Sequence, residues 1–412
     1  MSEVVEKRAL RPHQVEAVRN LKNGSILVGG VGVGKSTTAL AYYVQKVCGG
    51  RIDRSAPMST PKKLVIITPA KKRNDLDWEE EALHYGIFKD SEVSYGHQEF
   101  IVDSWNNIQK YKNVRDAFFI FDEQKVVGKG AWAKTFIELA GKNEWILLSA
   151  TPADNWLDYV PVFLAHGFYR NRNHFWDEHV IWKLVNGKYP QVRGYYGQRY
   201  LEGLRDSLLV EMPYERHTVR HVEETFVEHD TNLFGLVWRK LWHVYEDRPL
   251  EDSGEKHRIG RKVVNSDPSR LDKICELSEK HPRLIIFYSF NYELDLLRTL
   301  SERLGIPVAE YNGHKHEPIP ETDRWLYLVQ YTSGAEAWNC ITTDAMVLYS
   351  LQYSHKVHEQ VLGRIDRMNT PFVDLWYYIL MSKTAVDKSI WRSLMGKKDF
   401  HEGPNVKYRG RE

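Results

Sequence analysis

The chain has 412 residues, enough for two or three domains at about 150 residues each. Its 57 Lys+Arg against 55 Asp+Glu leave a net charge of +2, with 42% hydrophobic and 27% charged residues. This balance excludes a uniformly basic scaffold and an acidic disordered chain, so any nucleic-acid site has to be a local patch.

Three scattered cysteines, Cys48, Cys275 and Cys340, lack the paired spacing of a disulfide scaffold or a zinc finger and suit a reducing compartment. No apolar run approaches the roughly 18 residues of a membrane span, and the N-terminal stretch carries no hydrophobic signal region. The expectation is a cytoplasmic protein without membrane association or structural zinc.

Along the chain, short continuous apolar runs alternate with helix-competent stretches. Ser25–Gly29, Leu64–Thr68, Ala117–Asp122 and Trp145–Ser149 form a first set, and Leu284–Ser289, Trp325–Gln330, Ala345–Ser350 and Leu375–Leu380 a second. Unbroken apolarity predicts strands buried on both faces, hence two parallel α/β sheets. Between them lies an aromatic, charged zone with helical spacing. The predicted organisation is a first domain over 1–155, a helical insert and linker over 156–225, a helical protrusion over 226–270, a second domain over 271–395 and a basic frayed tail over 396–412.

The first run leads into Gly29, Gly30, Val31, Gly32, Val33, Gly34, Lys35 and Ser36, which spell G-x-x-x-x-G-K-[ST] between a strand and a helix. Glycines let backbone N–H groups wrap phosphate oxygens, and the following helix, with Thr37 in its first turn, offers its positive end. Lys35 is placed to reach the outer phosphates of ATP and Ser36 to ligate Mg²⁺. The third run ends in Asp122 and Glu123 at the carboxyl end of a parallel strand, where such sheets bind ligands. Asp122 is the candidate Mg²⁺ ligand together with Ser36, and Glu123 the group that orients and deprotonates the attacking water.

Further segments, in order, resemble superfamily 2 helicases and translocases, and more closely their compact swi/snf (chromatin-remodeller-like) branch as found in bacteriophages and bacteria. Arg11 and Gln14 stand like the adenine-reading Q motif. Thr68, Pro69, Lys71 and Lys72, followed by Trp78 and three glutamates, look like motif Ia, and Ser104 like motif Ib. Ser149, Ala150 and Thr151 look like motif III, Ser289 like motif IV, and Thr332, Ser333 and Gly334 like motif V. Gln360, Gly363, Arg364 and Arg367 fit the Q-x-x-G-R-x-x-R of motif VI.

The resemblance implies two RecA-like domains with ATP between them. It makes Lys35, Asp122, Glu123, Gln360, Arg364 and Arg367 the catalytic set and Ser149 to Thr151 the coupling segment. The residues of motifs Ia, Ib, IV and V would grip nucleic-acid phosphates. Gln124 and Lys125 depart from the usual carboxylate motif, and Ala337 stands where motif V prefers glycine. Val361 replaces an arginine that this branch also lacks, and the segment from Asn312 to Arg324, with Pro318 and Pro320, is too short for the customary helix.

From Gly167 to Tyr200 aromatics alternate with cations, which fits the core of a small helical subdomain or a strand-contacting surface. The function implied is an ATP-dependent DNA helicase or translocase of replication, recombination or repair, acting as a monomer in a bacterial or phage-infected cell. An RNA-dependent ATPase and a nucleotide-gated DNA-binding module are the alternatives.

Overall fold

The computed structural model describes residues 9–30, 32–88, 99–123, 130–150, 153, 155–185, 189–213, 216–334, 340–367 and 369–402. The chain divides into two compact units, residues 1–214 and 215–412.

The first unit is built on β1 (Ile26–Val28), β2 (Leu64–Thr68), β3 (Phe100–Ser104), β4 (Phe118–Phe121), β5 (Glu144–Ser149), the hairpin strands β6 (Val180–Val185) and β7 (Tyr189–Tyr195), and β8 (Leu209–Glu211). Six of these form one sheet in the order β3-β2-β4-β5-β1-β8, and every pairing is parallel. Alternate side chains bury on opposite faces, because successive residues of a strand point to opposite sides. Leu64, Ile66, Phe118, Ile120, Ile146 and Leu148 pack with the helix Lys35–Tyr42 and with Trp78 and Tyr85. On the other face Phe121 meets Trp105 and Phe136, and Phe136 meets Trp145.

The second unit contains β9 (Val219–Phe226), the two-residue strands β10 (Trp242–His243) and β11 (Arg248–Pro249), β12 (Arg283–Tyr288), β13 (Val308–Tyr311), β14 (Trp325–Gln330), β15 (Ala345–Leu348) and β16 (Asp374–Met381). Its main sheet, β13-β14-β12-β15-β16-β9, is also wholly parallel. One face buries Ile285, Phe287, Tyr327, Val329, Met346 and Leu348. The other buries Leu284, Ile286, Leu326, Leu328, Ala345 and Val347. Two parallel six-stranded sheets with flanking helices are the two α/β sheets that the apolar runs predict.

Two expectations about the chain's layout change. The zone 156–225 is not wholly helical: it holds the antiparallel hairpin β6–β7, and its ends supply β8 to the first sheet and β9 to the second. These edge strands are short or polar (Val219–Phe226 reads VRHVEETF), so their apolar signal is weak. The segment expected as a frayed tail begins inside a helix, Ala385–Glu402, and residues 403–412 lie outside the described residues. The 226–270 segment carries the expected helices, Thr231–Lys240 and Ser253–Asn265, with the β10–β11 pair between them. Among the described residues no helix is long and apolar enough to cross a membrane.

Candidate active site

The phosphate loop follows β1 and ends at Gly34, whose left-handed backbone (φ 84°, ψ 35°) caps the helix Lys35–Tyr42. A Cβ at Gly34 would lie 2.2 Å from Gln14 Nε2, and one at Gly29 would lie 2.7 Å from Val33 Cγ2. Only glycine satisfies both the positive φ and the close approach. Lys35 Nζ donates to the loop's own carbonyls, Gly29 O at 2.7 Å and Gly30 O at 2.9 Å. Gly29 N–H donates to Ser149 O (3.2 Å), so the candidate coupling segment at the end of β5 touches the start of the loop. Ser149 is buried and Ala150 partly so, while Thr151 and Val31 lie outside the described residues. Gln14 Oε1 accepts from Arg11 N–H at 2.8 Å, which fixes the glutamine against the loop, and His13 Nε2 lies 3.2 Å from Val33 O.

The carboxylates follow β4, with β5 between them and β1 in the sheet. Asp122 is buried, and three donors converge on its Oδ2: Thr68 Oγ1 at 2.8 Å, Lys72 Nζ at 3.0 Å and Trp78 Nε1 at 3.0 Å. Burial pulls the Lys72 ammonium down, but the charges of Asp122 and Glu123 and the bond to Asp122 outweigh it and hold Lys72 above the ordinary lysine range. It is therefore a cation at neutral pH. Trp105 Nε1 donates to Asp122 O at 2.9 Å. That contact pins the peptide leading into Glu123, which has a positive φ of 54°. A non-glycine residue in this region is strained, and such strain concentrates at functional turns. Gln124 and Lys125 lie outside the described residues.

Trp78 and Glu81 sit on the helix Asp77–Leu83, in the tract of glutamates after motif Ia. Glu81 Oε1 accepts from Thr37 Oγ1 at 2.7 Å, on the helix that follows the phosphate loop. The W-x-x-E spacing is the sequence signal for this strap, although it assigns neither partner.

The residues expected to grip nucleic acid divide by accessibility. Thr68 and Ser104 are buried, and Thr68 and Lys72 are spent on Asp122 rather than on an outer surface. Arg73 Nη1 reaches Asp103 (3.3 Å), which also accepts from Asn107, Tyr111 and Ser104 N–H. Burial pushes Asp103 up, but these hydrogen bonds outweigh it and hold the carboxyl below the usual range. Pro69 caps the helix Ala70–Asn74, which carries Lys71 in a partly exposed position. In the second unit, Ser289 Oγ is bonded to Ser350 Oγ and Gln352, and Gly334 is buried. Thr332 is exposed and Ser333 partly exposed. Ala337 lies outside the described residues.

In the second unit the helix His355–Leu362 carries Gln360 and ends ahead of Arg364. Arg364 is buried, and its Nε donates to Gln360 O at 2.9 Å. Asp366, also buried, accepts from Thr218 (2.8 Å) and Arg220 Nε (2.6 Å) and pairs with Arg216. These partners on and before β9 fasten the motif VI turn to the sheet edge. Arg367 is pulled down to about 9, first by burial and then by the charges of Arg364 and Arg216. Half-buried Arg367 thus lies close to two further guanidinium groups.

The aromatic stretch divides by burial. Phe175 and Tyr169 are buried around His179, whose Nε2 bonds Tyr169 Oη at 2.8 Å, whereas Trp182, Tyr196 and Tyr200 are exposed.

No family model matches this chain, and no curated protein matches it. Among solved structures, one that it resembles is the Sulfolobus solfataricus SWI2/SNF2 ATPase core in complex with dsDNA. The TM-score is 0.42 at 13% identity, over 97% of this chain and 94% of that one.

Proposed function

We propose that this chain is an ATP-driven motor on nucleic acid, with DNA as the track. The observation that carries the reading is the tandem itself. A phosphate loop and a carboxylate pair share the carboxyl edge of one parallel sheet, and the unit built on a second parallel sheet carries two arginines, buried Arg364 and half-buried Arg367.

The residues present fit a nucleoside triphosphate with Mg²⁺. Left-handed Gly34, where a Cβ would meet the Gln14 side chain, leads into a helix N-terminus whose N–H groups favour anions. Lys35, now held on loop carbonyls, would turn to the outer phosphates. Ser36 and Asp122 would hold the metal, which supplies charge neutralisation to the phosphates. Glu123 would accept the proton of the attacking water, and the pinned peptide before it limits where that carboxylate can swing. Arg364 and Arg367 would supply positive charge to the transferred phosphoryl group, an effect worth about 10³ to 10⁵ in rate. Because those charges lie on a separate unit, turnover would depend on the units' arrangement, and a nucleic-acid track contacting both would bias it.

Steady-state ATPase with matched single-stranded DNA, duplex DNA and RNA tests the proposal, with Glu123→Gln as the blank. The expected result is turnover stimulated by DNA, abolished by Lys35→Ala and reduced at least about 10³-fold by Arg367→Ala with nucleotide binding kept. Stimulation by RNA alone would replace the track. Wild-type turnover by Arg367→Ala would sink the two-unit site.

A further inference from the structure

Lys72 occupies a place that neither the motif nor the proposed chemistry requires. Asp122 Oδ2 already accepts from Thr68 and Trp78, both buried. Those two bonds anchor the carboxylate, so the third donor is not needed to keep a buried group satisfied. Its effect is electrostatic, because it places a full positive charge 3.0 Å from the oxygen of the candidate metal ligand.

Lys72 also differs from its two companions in its freedom. The Asp122 side chain is 2% exposed, whereas that of Lys72 is 25% exposed. It rides on the five-residue helix Ala70–Asn74, whose sequence AKKRN carries three successive cations. Two of the three are turned inward to carboxylates at the ends of neighbouring strands. Lys72 is on Asp122 after β4, and Arg73 is on Asp103 in β3. A basic helix is thus folded down onto the sheet edge, with its charges matched by acids of the same unit.

We propose that Lys72 is a two-position switch between the metal carboxylate and the nucleic-acid backbone. In the position described here it neutralises Asp122 and opposes a divalent cation there by like-charge repulsion. A backbone phosphate arriving at the Ala70–Asn74 helix offers the ammonium an alternative anion in a more solvated place and draws it off, which leaves Asp122 charged and ready for metal. Nucleic acid would then favour hydrolysis by removing a competitor of the metal. The inference rests on the ATPase reading, since it needs metal at Asp122.

The test measures binding rather than turnover. The affinity of the full-length protein for a fluorescent non-hydrolysable ATP analogue is titrated against free Mg²⁺, with and without duplex DNA, for wild type, Lys72→Met and Lys72→Gln. Removing one unit charge so close to the site should lower the half-saturating Mg²⁺ about tenfold without DNA. The variants alone should then match wild type with DNA, and DNA should shift them no further. Thermal melts of both variants check folding, which the bonds from Thr68 and Trp78 should preserve. Wild-type Mg²⁺ dependence in folded variants would overturn the switch. A lowered Mg²⁺ requirement that DNA still shifts as in wild type would overturn release by phosphate. Failure of every protein to bind the analogue would instead overturn the ATPase reading, and the switch with it.

Discussion

Arg270 offers a direct test of how the second unit is held. It lies on the helix Pro268–Lys280 with no solvent exposure. Its guanidinium donates to Val264 O (3.2 Å), Leu380 O (3.3 Å), Tyr349 O and Asp387 Oδ2 (3.1 Å). The carbonyls of Tyr349 and Leu380 lie at the carboxyl ends of β15 and β16. Asp387 Oδ2 also accepts Ser382 N–H at 2.7 Å. Arg270→Met keeps volume and apolarity but leaves a buried carboxylate without its counter-ion. Breaking a buried pair from one side costs about 3–5 kcal/mol. For a unit of this size that corresponds to roughly 6–20 °C in Tm. Arg270→Met/Asp387→Asn removes the stranded charge as well and should regain most of the loss. Calorimetry and urea unfolding of the full chain read both variants. Unfolding of Arg270→Met within about 1 kcal/mol of wild type, or a double variant no more stable than the single one, would refute a structural role for the buried pair.

Arg367→Gln should raise the Tm at neutral pH while abolishing turnover. Folding holds the guanidinium near 9, so the folded state is penalised wherever Arg367 is charged. The gain should fade as pH rises through about 9, and a Tm that falls at pH 7 would contradict the crowding of Arg367 by Arg364 and Arg216. Asp103→Asn should cost about 1.5–3 kcal/mol at neutral pH, since four donors favour the ionised form. The stabilisation from a lowered carboxyl is present above the ordinary Asp value and lost as pH falls through the folded one. Variant and wild type should therefore converge in strong acid, and a pH-independent difference would point to packing instead. Gly34→Ala meets both a positive φ and a 2.2 Å approach to Gln14. It should destabilise the first unit by about 1–3 kcal/mol and remove nucleotide-analogue binding in a fluorescence titration.

What could be read from sequence followed from how strong each local signal was. Runs such as LVIIT and WLYLVQ are apolar at all but their last position because both faces of the strand are covered, and each became an interior strand. The edges were illegible for the opposite reason. β9 needs burial on few positions, and its charges look like a loop or helix surface. The hairpin β6–β7 mixes Trp182 and Leu184 with Lys183 and Arg193, so no clean alternation marks it. At the site, the Gly29–Ser36 pattern and Asp122–Glu123 stood out because phosphate and metal ligation, as proposed, demands particular residues at fixed spacing. The direction in which Thr68, Lys72 and Ser104 face was not readable. A short polar residue at a strand end is compatible with either the interior or the surface, and only the neighbouring carboxylates decide.

The strap formed by Trp78 and Glu81 also sets a dimension. One side chain holds the carboxylate after β4 and the other holds the helix after the phosphate loop, and the two residues are three positions apart on one helix. The interval between the two halves of the site is therefore measured by rigid helical rise, about 4.5 Å, rather than by the lengths of the loops that carry them. A one-residue insertion between Trp78 and Glu81 would turn one of them about 100° away from its partner and uncouple the halves, although every motif residue would still be present.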